Sequence, residues 1–101
     1  MPTYISLIKY TQQGAAAIKE SPTRLDVARR AAQSLGGQIK EWFLTLGQYD
    51  AIAIIDMPNE ETLAQLLLAL AVAGNIQTET VRAFTEDEYR VLLASLPQSN
   101  G

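Results

Sequence analysis

The sequence predicts a single α+β domain over residues 1–96, followed by a flexible tail over residues 97–101. Three observations carry this prediction: two strand-like segments are apolar on both faces, a glycine turn joins two strands, and a helical pattern follows the first and the third strand. The resulting order is β-α-β-β-α-β with a further C-terminal helix. Because β-α-β crossovers are right-handed, this order favours a ferredoxin-like, four-stranded antiparallel sheet with strand order 4-1-3-2.

The first strand, Thr3 to Thr11, is rich in β-branched and aromatic residues and is apolar on both alternating faces. Strands of this kind lie centrally in a sheet that is covered on both sides. One face carries Tyr4, Ile8 and Tyr10, and the other carries Ile5 and Leu7.

Start and stop signals bound the first long helix. Ser21-Pro22 supplies a hydroxyl N-cap and an early proline, and Gly36-Gly37 ends the helix near Leu35. The preceding segment, Thr11 to Glu20, contains Gly14, so we expect at most two helical turns there.

Two strands, Gln38 to Leu46 and Tyr49 to Met57, are predicted to pair across Gly47-Gln48. A two-residue connection with glycine first fits a type II′ turn, so Gly47 is expected to have a positive φ. Opposing residue numbers in this hairpin sum to 95. One face then carries Ile39, Glu41, Phe43 and Thr45, and the other carries Trp42, Leu44 and Tyr49.

The second half of the chain is predicted to contain a helix, a strand and a short C-terminal helix. A helix is predicted from Met57 to Ala73, apolar most of the way round and ended by Gly74. The more polar segment Ile76 to Thr85 is typical of an edge strand. A capping box at Thr85 opens a short C-terminal helix, which ends near Leu96. Its docking residues are expected to be Leu92, Leu93 and Leu96.

This topology places both long helices on one face of the sheet and leaves the other face open. Because the two central strands are apolar on both faces, the open face must carry apolar residues. Covering a few hundred Å² of such surface contributes several kcal/mol at ~25 cal/mol per Å². We therefore expect a homodimer in which two sheets pack face to face as a dimeric α+β barrel, with the C-terminal helix closing one end.

Composition excludes several classes of function. The chain contains no cysteine and no histidine, which removes disulfides, common zinc sites and a histidine base. We expect no metal and no cofactor. The net charge of −3 argues against nucleic acid, and the cations Lys19, Arg24, Arg29 and Arg30 are expected on a solvated face. The longest apolar segment is shorter than the ~20 residues of a membrane span, and no secretion signal is recognised, so we expect a cytoplasmic protein.

Candidate site residues cluster near the hairpin. Asp50 is the candidate catalytic carboxylate, although hydrogen bonds to Thr45 or to nearby backbone amides would give it a structural role. Trp42, Tyr49 and Tyr10 are candidate ligand-binding aromatics. For Tyr49, packing with Trp42 and Leu44 in an aromatic cluster is the favoured alternative. Because Tyr49 and Asp50 are adjacent in a strand, they point to opposite faces and do not form an acid–base pair.

Two arginines are further candidates for ligand binding. Arg82 lies within the fourth strand and requires a carboxylate or an anionic ligand, with Glu41, Asp50 and Asp56 as candidate partners. Arg24 lies near the first turn of its helix, against the helix dipole, so an anion or an acidic residue is expected beside it.

Several motifs together resemble the GYD domain family over nearly the whole chain. The matching segments are Gly47-Gln48-Tyr49-Asp50, Met57-Pro58-Asn59-Glu60, Ser21-Pro22-Thr23-Arg24, Gly74-Asn75-Ile76 and Thr80-Val81-Arg82-Ala83-Phe84. The resemblance implies the fold of dimeric α+β barrels, which include cofactor-independent monooxygenases, isomerases and ligand-sensing domains. It implies no particular activity.

Two functions remain open from the sequence. The first is a non-enzymatic module that binds an apolar or aromatic small molecule or a protein partner. The second is a cofactor-independent monooxygenase or isomerase with Asp50 as carboxylate base. The first is favoured because a chain without histidine or cysteine has few catalytic mechanisms available.

Overall fold

The computed structural model, which describes residues 1–98, contains the predicted α+β fold. Four strands form one antiparallel sheet in the order β2-β3-β1-β4, which is the predicted order read from the other edge. The elements, in chain order, are β1 (Thr3–Tyr10), α1 (Gln12–Ala16), a 3₁₀ turn (Ile18–Glu20), α2 (Ser21–Ser34), β2 (Gln38–Leu44), β3 (Ala51–Asp56), α3 (Glu60–Ala73), β4 (Ile76–Ala83) and α4 (Glu86–Ala94).

Helix ends fall within two or three residues of the predicted positions. The predicted Ser21 N-cap is wrong, because Ser21 is already the first residue of α2 and no side chain of the described residues caps this helix. Asn59 begins α3, and its side chain accepts a hydrogen bond from the Thr62 amide at 2.9 Å. Gly36 follows α2 and Gly74 follows α3, with φ of 86° and 77°. Both lie in the left-handed region that glycine adopts at little cost, which confirms the predicted stops.

The hairpin follows the predicted register over part of its length. Opposing numbers sum to 95 from Glu41–Ile54 to Leu44–Ala51. At Lys40 a β-bulge adds one residue to β2, so Ile39 pairs with Ile55 and is buried under the helices. The prediction that Ile39 shares a face with Glu41 and Phe43 is therefore wrong, since strict alternation does not continue through a bulge.

The turn of this hairpin is longer than predicted. Gly47 has the expected positive φ of 114°. The ladder, however, ends at Leu44 and Ala51, and the Thr45 amide donates to the Asp50 carbonyl at 2.9 Å. Four residues, 46–49, therefore connect the strands where two were predicted.

The core lies between the sheet and the two long helices. Alternate residues of the central strands are buried beneath α2 and α3, while Ile5, Leu7, Ile52 and Ile54 on the other face are only partly covered. The buried apolar residues are Tyr4, Ile8, Ala28, Ala32, Ile39, Ala51, Ala53, Ile55, Met57, Leu63 and Leu66.

The C-terminal helix departs from its expected position. No residue of α4 is buried, and Leu92, Leu93 and Leu96 are 48%, 48% and 65% exposed, so these leucines do not dock the helix on its own domain. The radius of gyration is 16.0 Å, compared with about 13 Å for a compact chain of this length. A longest dimension of 58 Å also fits a helix that extends outward. The pattern identified the apolar face of α4 correctly but not the surface that covers it.

Most of the predicted tail, residues 99–101, lies outside the described residues, and the domain limits stay a prediction. Among residues 1–98, no helix has both the length and the apolar character required to cross a bilayer.

Candidate functional site

The open face of the sheet has an apolar centre and a charged rim. Ile5 and Leu7 of β1 lie on this face. The sequence alone did not decide whether this pair or Tyr4, Ile8 and Tyr10 would lie there. Phe43 on β2 and Val81 on β4 extend this apolar face towards the two edges of the sheet and are 52% and 46% exposed. The rim includes Lys9, Glu41, Asp56 and Glu79. A face of this composition is typical of an interaction surface.

A cavity of about 300 Å³ lies on the other face, between the sheet, α2 and α3. Its walls are mostly apolar, and its mouth reaches solvent at Thr23 and Val27, which are exposed. Cavities of this size and character are at the lower limit of small-molecule sites.

Small residues in the sheet create this cavity. One row across all four strands consists of Trp42, Ala53, Ser6 and Thr80. The two middle residues, Ala53 and Ser6, are small, so their side chains leave space between the sheet and the helices that cross it. The helices add alanines, among them Ala28 and Ala69, and the gap is not filled.

Three of the predicted ligand-binding residues, Tyr10, Arg24 and Trp42, line the cavity. The Tyr10 hydroxyl lies 3.4 Å from the Ser21 hydroxyl at the mouth. The structure thus brings an aromatic wall, a phenol and a guanidinium to one site, and binding by these residues stays a prediction.

The Arg24 guanidinium is engaged mainly by the backbone. It donates to the carbonyls of Ala17 at 3.0 Å and Gly14 at 3.4 Å, and it lies 3.9 Å from the Glu20 carboxylate. The acidic neighbour expected from the position of Arg24 is therefore Glu20.

Tyr49 lies away from this cavity. Its hydroxyl donates to the Glu79 carboxylate at 2.5 Å, and the Lys9 ammonium lies 5.4 Å from the ring centre. These neighbours belong to the open face, so the expectation that Tyr49 shares a face with Trp42 and Leu44 is wrong. The irregular residues between the strands break the alternation on which it rested. The hydrogen bond to Glu79, followed by partial desolvation, raises the pKa of Tyr49.

Asp50 ties the hairpin to the central strand. Its carboxylate accepts from the Tyr10 amide at 2.9 Å, and its own amide donates to the Ile8 carbonyl at 2.8 Å. A hydrogen bond from a backbone amide to the Asp50 carboxylate was predicted as the alternative to catalysis, in which Asp50 has a structural role. Asp50 does not line the cavity, and its role as a catalytic base stays a prediction.

Arg82 contacts carbonyls and aromatic rings. It donates to the carbonyls of Thr3, at 3.2 Å, and Ala83, and its guanidinium lies 4.4 Å from the Phe84 ring centre and 5.6 Å from that of Tyr4. Such stacking is a common arrangement for arginine.

Two of the carboxylates predicted to pair with Arg82, Asp50 and Asp56, have other partners. Asp56 lies 3.8 Å from the Lys40 ammonium and accepts from the Thr3 hydroxyl, and among residues 1–98 no ion pair of Arg82 is found within 4.0 Å. The prediction of Glu41, Asp50 or Asp56 as its partner is wrong because Arg82 points to the helix-covered face, beside Tyr4, at the end of the sheet.

Sequence reasoning missed Ser6, a buried polar residue that lines the cavity. The available signal was a hydroxyl at an inward position of an otherwise apolar central strand. Its importance depends on Ala53 beside it, which only the strand pairing reveals.

The fold and its surfaces define a class: a small α+β protein with a ferredoxin-like sheet, one uncovered sheet face and a cavity under its helices. Within residues 1–98 no group of three carboxylates is placed to hold a metal ion. The GYD domain model matches residues 4–93, and the chain belongs to this family.

Two proteins of Thermus thermophilus are similar to this chain. The chain is 30% identical over 84 residues to the "Glutamine synthetase and cystathionine beta-lyase binding protein", covering 82% of this chain and 88% of that protein. It also resembles the crystal structure of TTHA0845, with 25% identity and a TM-score of 0.53, covering 84% of this chain and 95% of that one.

Proposed function

We propose that this chain is a non-enzymatic binding module that forms a homodimer through its open sheet face and uses α4 to dock on a partner protein. The observation that carries the proposal is α4 itself, a well-capped helix whose apolar side is exposed.

The construction of α4 supports docking on a separate molecule. The Thr85 side chain accepts from the Glu88 amide at 3.1 Å, and the Glu88 side chain accepts from the Thr85 amide at 2.9 Å, forming a complete capping box. A helix of nine residues is only marginally stable alone, so it gains stability when an apolar face is covered.

The exposed apolar residues have the spacing of a helix that binds in a groove. Tyr89, Leu92 and Leu93 in α4, together with Leu96 just beyond it, lie at positions i, i+3, i+4 and i+7. Phe84, in the segment that joins β4 to α4, is also 54% exposed.

The Thermus relative supports a protein as the partner, since its name describes binding to glutamine synthetase and cystathionine beta-lyase. Those two enzymes, prepared from the organism that encodes this chain, are therefore the probes for the test. We expect at least one to bind saturably in surface plasmon resonance.

The double variant Leu92→Ser/Leu93→Ser is expected to weaken that binding at least tenfold, because buried leucine anchors are lost, while the homodimer persists in sedimentation. Val72→Ser is the matched control, since Val72 is an aliphatic residue on α3 that is 88% exposed. Binding that survives the double variant, or a double variant that is monomeric, contradicts docking through α4.

A second candidate function, binding of an apolar small molecule, is favoured by the cavity where Tyr10, Arg24 and Trp42 meet. The enzymatic alternative requires Asp50 as a base. Turnover of a bound phenol that is abolished by Asp50→Asn, with the melting temperature intact, would support that alternative. Binding without turnover supports the module.

A further inference from the structure

Ser6 has an unused hydrogen-bond donor in a buried position. Its side chain is 2% exposed and lines the cavity. The Thr80 hydroxyl donates to Ser6 Oγ at 3.0 Å, and no hydrogen bond donated by Ser6 is found among residues 1–98. A buried donor without an acceptor is costly, so an acceptor inside the cavity would be stabilising.

The shape of the cavity limits its occupant to a small molecule. Its volume of about 300 Å³ accepts a ring system but not a peptide helix, whose diameter with side chains is about 10 Å. The other walls of the cavity are mostly apolar and include Ile8, Trp42 and Ile55. The occupant is therefore mostly apolar.

The mouth of the cavity selects against a charged occupant. The one guanidinium in the lining, that of Arg24, already donates to two backbone carbonyls and lies near Glu20. A buried carboxylate or phosphate would therefore lack a free cation to compensate its lost hydration.

We propose that this cavity binds a neutral, mostly apolar, ring-sized molecule with a hydrogen-bond acceptor that receives the Ser6 hydroxyl proton. The proposal rests on small-molecule binding, the second candidate function, and names its ligand class and the residue that selects it.

The chain offers a convenient probe, because its one tryptophan is Trp42 in the cavity wall. The indole N–H resonance is followed by NMR during titration with naphthalene or with quinoline, which has the same size and shape but carries one ring nitrogen acceptor. Both probes are expected to shift this resonance saturably.

Ser6→Ala is expected to weaken quinoline binding about threefold to tenfold and to change naphthalene binding less than about twofold, because only quinoline loses a hydrogen bond. Ser95→Ala, at an exposed serine just after α4, is the control and should leave both affinities unchanged. Ala53→Leu is expected to fill the cavity and abolish binding of both probes.

Each of the other outcomes contradicts a specific part of the proposal. If Ser6→Ala affects both probes equally or neither, the acceptor at Ser6 is wrong, although small-molecule binding stands. If neither probe shifts the resonance, both the acceptor and the small-molecule candidate fail. If binding survives Ala53→Leu, the probes bind outside this cavity.

Discussion

At the scale of single residues, Gly14 lies in a helix, where glycine is unfavourable, because a residue distant in sequence leaves no room for a side chain. Glycine costs about 1 kcal/mol relative to alanine within a helix, which is why the sequence predicted only a short helix here. In the structure, a Cβ at this position would lie 2.0 Å from the carbonyl oxygen of Asn75. The sequence contains no signal that α1 and the start of β4 touch.

Gly14→Ala is expected to lower the free energy of unfolding by about 1–3 kcal/mol, because the added methyl group forces the backbone at Asn75 to move. Urea denaturation measures this, with the exposed Gln12→Ala in the same helix as the control. If the substitution instead stabilises the protein, as it does at an uncrowded helical glycine, the close approach is wrong.

Tyr49 gives a prediction for alkaline pH. The hydrogen bond to Glu79 raises the pKa of the folded phenol above its ordinary value of 10.0, so the folded state holds this proton more tightly than the unfolded state does. The contribution to stability is therefore complete below pH 10 and is lost as the pH rises through the folded pKa. We expect Tyr49→Phe to remove this alkaline loss, measured as unfolding free energy against pH. An identical pH profile in the variant would contradict the assignment.

At the scale of elements, capping and stop signals predicted helix positions well because their chemistry is local. The faces of β2 were predicted less well, since the bulge at Lys40 and the longer turn each shift the alternation. Both depend on pairing with β3, which is not encoded within β2. For the same reason, the side chains of Tyr49 and Trp42 were wrongly assigned to one site.

Acid should weaken α4. The backbone hydrogen bond from Thr85 lowers the pKa of Glu88 below its ordinary value of 4.5, so its stabilising effect is present above pH 4.5 and is lost as the pH falls through the folded pKa. We expect the ¹³Cα shifts of α4 to move towards unfolded values below that pH. Glu88→Gln, which cannot ionise, should show no such transition. A transition that persists in this variant would assign the effect to another group.

At the scale of the whole molecule, the sheet order followed from element order and strand hydrophobicity, both of which are readable in the sequence. The cavity could not be predicted from the sequence, because it arises from Ala53 and Ser6 lying side by side beneath two helices. The exposed position of α4 was equally hidden, since an apolar stripe indicates that a helix is covered but not by which molecule.

The central claim is that the apolar sheet face is covered by a second copy. Sedimentation equilibrium of the chain at micromolar concentration tests it most directly, together with Leu7→Asp, which places a charge at the centre of that face. We predict a species of twice the 11.1 kDa chain mass for the unaltered protein and a folded monomer for the variant. A single 11.1 kDa species for the unaltered chain would contradict the account.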